Sequence, residues 1–128
     1  MTKITIRTDA APSAMGTYSQ AIKVDQTVYI SGQYPVAPGT SELIDGDIEA
    51  QIRRVFDNLA GVAAGAGGGL ADLVKVTLYL TDLGHFPLVN QIMSEYFDEP
   101  YPARNLIGAA ALPKGAAIGA DAIMVLDH

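Results

Sequence analysis

"DIEAQIRRVFDNLAGVAAGAGGGLADLVKVTLYL", residues 47 to 80, changes its period part-way along, and that change decides the fold. Ile48, Ile52, Val55, Phe56, Leu59, Val62 and Ala63 recur at spacings of three and four, which sets them on one stripe of an α-helix running from Asp47 to Ala64. Asp45 or Asp47 can accept hydrogen bonds from the first turn, and Gly65 is placed to end the helix. "VKVTLYL" (74–80) then alternates at period two, the pattern of a half-buried strand. A helix and a strand that each carry one apolar face must bury those faces against neighbouring elements.

Working outward, "KITIR" (3–7), "YSQAIKV" (18–24) and "TVYISG" (27–32) read as strands, with "DQT" a tight turn between the last two. "YPVAPGTSELIDGD" is a loop rich in proline and glycine. A second helix runs from Pro87 to Phe97, with proline in its first turn and a stripe of Val89, Ile92, Met93, Tyr96 and Phe97. Two final strands, at 104–111 and 117–126, flank an "LPKG" turn. The order β-β-β-α-β-α-β-β predicts an α+β fold, a mixed sheet with both helices on one face. No repeat, linker or compositional break interrupts it, so residues 1–128 are expected to form a single domain. The last two strands are rich in small residues, Gly108 to Ala111, Ala116, Ala117, Gly119, Ala120 and Ala122, which let another backbone approach. They are expected to form a sheet-against-sheet subunit interface.

Composition points the same way. Of 128 residues 49% are hydrophobic and only 17% charged, more apolar surface than a small monomer readily hides, which favours an oligomer. No apolar run reaches the roughly 18 residues of a membrane span, and the N-terminus lacks the apolar segment of a signal peptide. There is no cysteine, hence no disulfide and no thiol nucleophile. These features favour the cytoplasm and no membrane partner. With 8 basic and 14 acidic residues, net −6, the chain offers no cationic cluster for phosphates. The adjacent Arg53 and Arg54 lie beside Glu49 and Asp57 and read as a solvated helix face. Nucleic acid is not expected as a partner.

Several constellations carry no chemistry. "GAGGG" (65–69) follows a helix and lacks the Lys-Ser/Thr of a phosphate loop. His85 and His128 are too few for a metal site, and no histidine is placed to form a triad with Ser13, Ser19, Ser31, Ser41 or Ser94. Arg104 is different. It opens "PARNLIGAAAL" (102–112), and Leu106 to Leu112 are all uncharged. Such an arginine is either a strand-edge charge in water or an anion receptor in an apolar wall. A guanidinium meets a carboxylate with two parallel hydrogen bonds.

"GTYSQAI" (16–22), "ISGQYPV" (30–36), "VN" (89–90) and "PARNLIGAAALPKGAAIGADAI" (102–123), in this order, resemble the RidA/YjgF family. The resemblance runs over nearly the whole chain, "DIEAQIRRVFDNL" and "DLVKVTLYLTDL" included. It implies a chorismate-mutase-like α+β fold and a homotrimer with active sites in clefts between subunits. It also implies cofactor-free hydrolysis of small 2-imino acids to 2-keto acids and ammonia, as in 2-iminobutanoate/2-iminopropanoate deaminases, which clears reactive imines and enamines. Arg104 falls on the arginine that binds the substrate carboxylate, Tyr18 on a tyrosine that closes the pocket from a neighbouring subunit, and Ser31 and Asn90 on pocket-lining polar positions. Leu106 falls where the backbone is thought to touch substrate, so that water held near Leu106 and Gly119 would attack the imine carbon.

The sequence departs from the family at one position. Relatives of the deaminase type carry a glutamate in the last strand where this chain has Gly119. Asp121 follows two residues on, about 6–7 Å along the strand, and matches a second acidic position. Two alternatives therefore stand beside the deaminase: a non-catalytic module for small carboxylates such as keto acids, and a pathway-specific deaminase of a larger, aminomuconate- or aminoacrylate-like enamine admitted by space at Gly119. The ribonuclease and translation-inhibitor activities described for some relatives are disfavoured by the acidic charge.

Overall fold

Asp47, of the two aspartates available, caps the first helix. Its Oδ1 accepts the Ala50 N–H at 2.9 Å, and α1 runs Ile48–Gly65. At the far end Gly65 remains helical. The left-handed residue is Gly67, at φ +92°, and the Gly68 N–H donates to the Ala63 carbonyl at 2.9 Å, the bond that closes a glycine helix stop. The computed structural model describes residues 2–127, so His128 lies outside the described residues.

The strands are β1 (Ile4–Ile6), β2 (Ala21–Val24), β3 (Thr27–Gln33), β4 (Leu73–Leu80), β5 (Ala103–Gly108) and β6 (Ile118–Val125), with α2 (Phe86–Tyr96) between β4 and β5. They form one sheet in the order β1-β2-β3-β6-β4-β5, in which only β4 and β5 are parallel. The fold is therefore α+β with a mixed sheet. Both helices lie on one face. Ile52, Val55, Phe56, Leu59 and Val62 of α1 and Val89 and Ile92 of α2 are buried in one core with Val28, Ile30, Val76, Leu78, Ile118 and Met124 of the sheet. Each such side chain contributes about 1.5–3 kcal/mol through burial.

Two strands are shorter than their patterns suggested. β2 starts at Ala21, because Gln20 turns its amide inward to bind the N-terminal segment. β5 ends at Gly108, and Ala109 to Ala111 lie beyond it. The reading of the small residues is corrected more fundamentally. Ala120 and Ala122 are buried on the helix-bearing face, and do not form the opposite one. The open face of β6 instead presents Gly119, Asp121, Ile123 and Val125. Beside them stand Tyr29, 51% exposed, and Ile107, 40% exposed, so larger apolar side chains give that face its character. Small residues in β6 serve close helix packing: their missing bulk is filled from above by α1. Among the described residues no helix is long and apolar enough to cross a membrane.

Candidate functional site

Arg104 is the second residue of β5, an edge strand whose backbone is paired on one side only. Its partner in register, Val76, points into the core, so Arg104 rises on the helix-bearing face towards α2. There its Nη1 donates to Asn90 Oδ1 at 2.7 Å and approaches Met93 Sδ at 3.8 Å. The guanidinium carbon lies 4.8 Å from the centroid of the Phe86 ring, a stacking distance for a cation on an aromatic face. No carboxylate pairs with Arg104 among the described residues; the ion pairs found there belong to Arg53 and His85. One neutral amide and one ring thus fix the fork and leave donors free. Leu106, two residues on along the same face, is half-buried.

Tyr18 and Ser31 stand elsewhere, on a cavity of about 690 Å³ whose wall also includes Met15, Gly32, Tyr34 and Lys114. Tyr18 is 54% exposed, and its Oη accepts the Met15 N–H at 3.2 Å. Ser31 donates its hydroxyl to the Ser19 carbonyl, and its N–H to that of Gln20 at 3.0 Å. Gln20, buried, holds the rim in place: Nε2 donates to the carbonyls of Thr8 (3.0 Å) and Pro12 (2.8 Å), while Oε1 accepts the Thr8 N–H at 2.8 Å.

Gly119 lies on the open face of β6, and the space beside it is not vacant. A Cβ built there would meet Tyr34 Cε1 at 2.5 Å and Cδ1 at 2.7 Å. The room expected at Gly119 for a larger substrate is occupied by this ring. Asp121, next along the face, accepts the Tyr79 hydroxyl at 2.8 Å. That bond, with burial and the negative charge adding to it, raises the Tyr79 hydroxyl above the usual 10.

The sequence-derived residues therefore fall into two groups. Arg104, Asn90 and Leu106 gather between β5 and α2, whereas Tyr18, Ser31 and Gly119 gather around β3 and β6. Ser31 and Arg104 are on strands three positions apart in the sheet, about 14 Å. Leu106 and Gly119 are on strands two positions apart, about 10 Å, and on opposite faces. Within one chain no small acid can touch both groups.

These groups sit on a chain whose relatives are clear. Residues 8–126 match the family model described as Endoribonuclease L-PSP. The chain belongs to the RidA/YjgF family. A RutC family protein of Pyrococcus abyssi is 45% identical over 123 residues, covering 96% of this chain and 97% of the relative. The human 2-iminobutanoate/2-iminopropanoate deaminase is 38% identical over 120 residues, covering 94% and 88%. The crystal structure of RidA from the Antarctic bacterium Psychrobacter sp. superposes with a TM-score of 0.91 at 47% identity, covering 96% of this chain and 99% of that one.

Sequence reasoning missed Tyr34, Phe86 and Asn58. A glycine at 119, the second residue of β6 and without positive φ, was the available signal for Tyr34: it marks the approach of a foreign group. Phe86 carried none, because an aromatic residue at a helix start reads as core. Asn58, fully buried, sits on the apolar stripe of α1 but was passed over as polar.

Proposed function

We propose that the protein is an enamine/imine deaminase hydrolysing small 2-imino acids to 2-keto acids and ammonia, at sites assembled between the subunits of a homotrimer. The observation that carries this reading is the guanidinium of Arg104, which meets no carboxylate among the described residues and is fixed by Asn90 and Phe86 with donors to spare. The names of relatives such as the human deaminase support it.

In this mechanism Arg104 binds the carboxylate with two parallel hydrogen bonds, which fixes the imine carbon at a constant distance from the pocket wall. Tyr18 and Ser31 of a neighbouring copy close the cleft, and Asn90 keeps the guanidinium oriented. Backbone groups at Leu106 of one copy face the water, across the cleft from the Tyr34 ring that covers Gly119 of the other. An imine is already electrophilic, so holding water and substrate together supplies most of the acceleration.

The test generates the imine in situ with an amino-acid oxidase and lets semicarbazide compete for it. Wild type should speed loss of the imine. Arg104→Ala should keep its assembly but lose about 2–5 kcal/mol of carboxylate recognition, roughly thirty- to several-thousand-fold in kcat/KM. Equal rates for both proteins would refute the anion-receptor role.

A second reading is a non-catalytic module for small carboxylates such as keto acids. Tyr34 over Gly119 favours it, because no carboxylate side chain stands at that position. Binding of 2-oxobutanoate by wild type without imine turnover would establish it.

A further inference from the structure

Tyr34 is held from two sides. Asn58 of α1 donates through Nδ2 to the carbonyls of Tyr34 at 3.0 Å and Val36 at 2.9 Å, and its Oδ1 accepts Arg54 Nε at 3.1 Å. A fully buried amide with both ends satisfied leaves the backbone at Tyr34 little freedom. The ring then lies across two glycines. A Cβ at 119 would stand 2.5 Å from Cε1, and a Cβ at 32 would stand 3.2 Å from Oη and 3.5 Å from Cζ. Neither glycine has positive φ, so what each provides is room for the ring. The hydroxyl end comes to rest beside Gly32, in the wall of the cavity that Tyr18 and Ser31 also line.

That placement gives the cavity a neutral group with one donor and two acceptor lone pairs beside Gly32, while its ring covers Gly119, where relatives of the deaminase type carry a carboxylate. The titratable groups around it are Tyr18, Tyr79 and Asp121, with Lys114 in the cavity wall. Burial raises the Tyr34 hydroxyl above the usual 10, and the Asp121 carboxylate and then Tyr18 add to the effect. At neutral pH it is protonated.

We propose that Tyr34 is a catalytic residue, its hydroxyl passing a proton from the attacking water to the imine nitrogen. This rests on the deaminase reading. As the water oxygen bonds to the imine carbon, one water proton moves to the phenol oxygen. The phenol's own proton moves to nitrogen, which also receives the C=N π pair, and a neutral carbinolamine results. In the second step the carbinolamine hydroxyl gives its proton to the phenol oxygen while the phenol again protonates nitrogen. The C–N bond breaks with its pair on nitrogen, ammonia leaves and the carbonyl forms. Tyr34 ends as it began and never becomes a phenolate, so its raised pKa does not obstruct the relay.

Tyr34→Phe tests this, because it keeps the ring on both glycines and removes only the oxygen. With imine supplied as before, kcat should fall on the order of 10²-fold, with KM and melting temperature little changed. Wild type should show a solvent deuterium isotope effect on kcat that the variant loses. An active wild type matched by an equally active Tyr34→Phe overturns the relay and leaves the deaminase reading intact. A wild type that binds 2-oxobutanoate without hydrolysing imine overturns the reading and the relay together.

Discussion

A hydrogen atom in place of a side chain at position 119 governs the local packing. With Tyr34 Cε1 2.5 Å from where a Cβ would stand, even alanine must displace the ring. Gly119→Ala should therefore destabilise by about 1–3 kcal/mol, the usual cost of overpacking. In a Tyr34→Ala background most of that cost should vanish, so a double-mutant cycle read by denaturant unfolding should give a coupling of about 1 kcal/mol or more. Additive effects would mean that the ring is not what the glycine accommodates. For the same reason Gly119→Glu is no simple graft of a carboxylate, because the incoming chain has to expel Tyr34 first. None of this was legible in one sequence. Gly119 is visible as a glycine inside a strand, but its partner is 85 positions away and comes from a segment that reads as loop.

Among the elements, β4 and β6 form the centre of the sheet and are pinned on the open face by Tyr79 and Asp121. The two are diagonal neighbours, since Tyr79 is opposite Gly119 and Thr77 opposite Asp121. The fold holds the Tyr79 pKa above its unfolded value near 10 and so favours the protonated phenol. Its stabilising contribution is complete below the unfolded pKa and is lost as pH rises through the folded one. Tyr79→Phe should cost about 1 kcal/mol at neutral pH. The gap between wild type and variant should stay constant from about pH 6 to 9 and narrow above about pH 10. A gap that widens with alkali would contradict the assignment. At this scale the sequence was most legible. The three-and-four spacing of α1, the alternation of β4 and the cap at Asp47 are local patterns, and each was realised. Where reading failed, at Tyr18 to Gln20 and at Ala120 and Ala122, the cause was tertiary: an amide turned inward to Thr8 and Pro12, and a helix lay over the alanines.

For the whole molecule, the proposed deaminase joins two groups that lie apart on one chain, so it requires assembly. In the proposed homotrimer, a closed ring of identical copies sets the Arg104 side of each subunit against the Tyr18 side of the next. Chains carrying Arg104→Ala and chains carrying Tyr18→Ala should each be inactive alone. Unfolded together in equal amounts and refolded, they should regain roughly a quarter of wild-type activity, the chance that two intact sides meet. No recovery, with mixed assemblies confirmed by mass spectrometry, would place the whole site within a single chain. "PARNL" singles out Arg104 and the family resemblance adds Asn90, whereas the distance of Arg104 from Ser31 depends on strand order, which pattern alone does not specify.

The seat of Tyr34 also constrains ancestry. A lineage holding tyrosine at 34 can enlarge position 119 only after position 34 has shrunk or turned away, and one holding a larger residue at 119 must reduce it before tyrosine can settle. The two exchanges have an obligatory order, so descendants on either side of the step are kept apart by an intermediate that packs poorly, whatever either group does in the pocket.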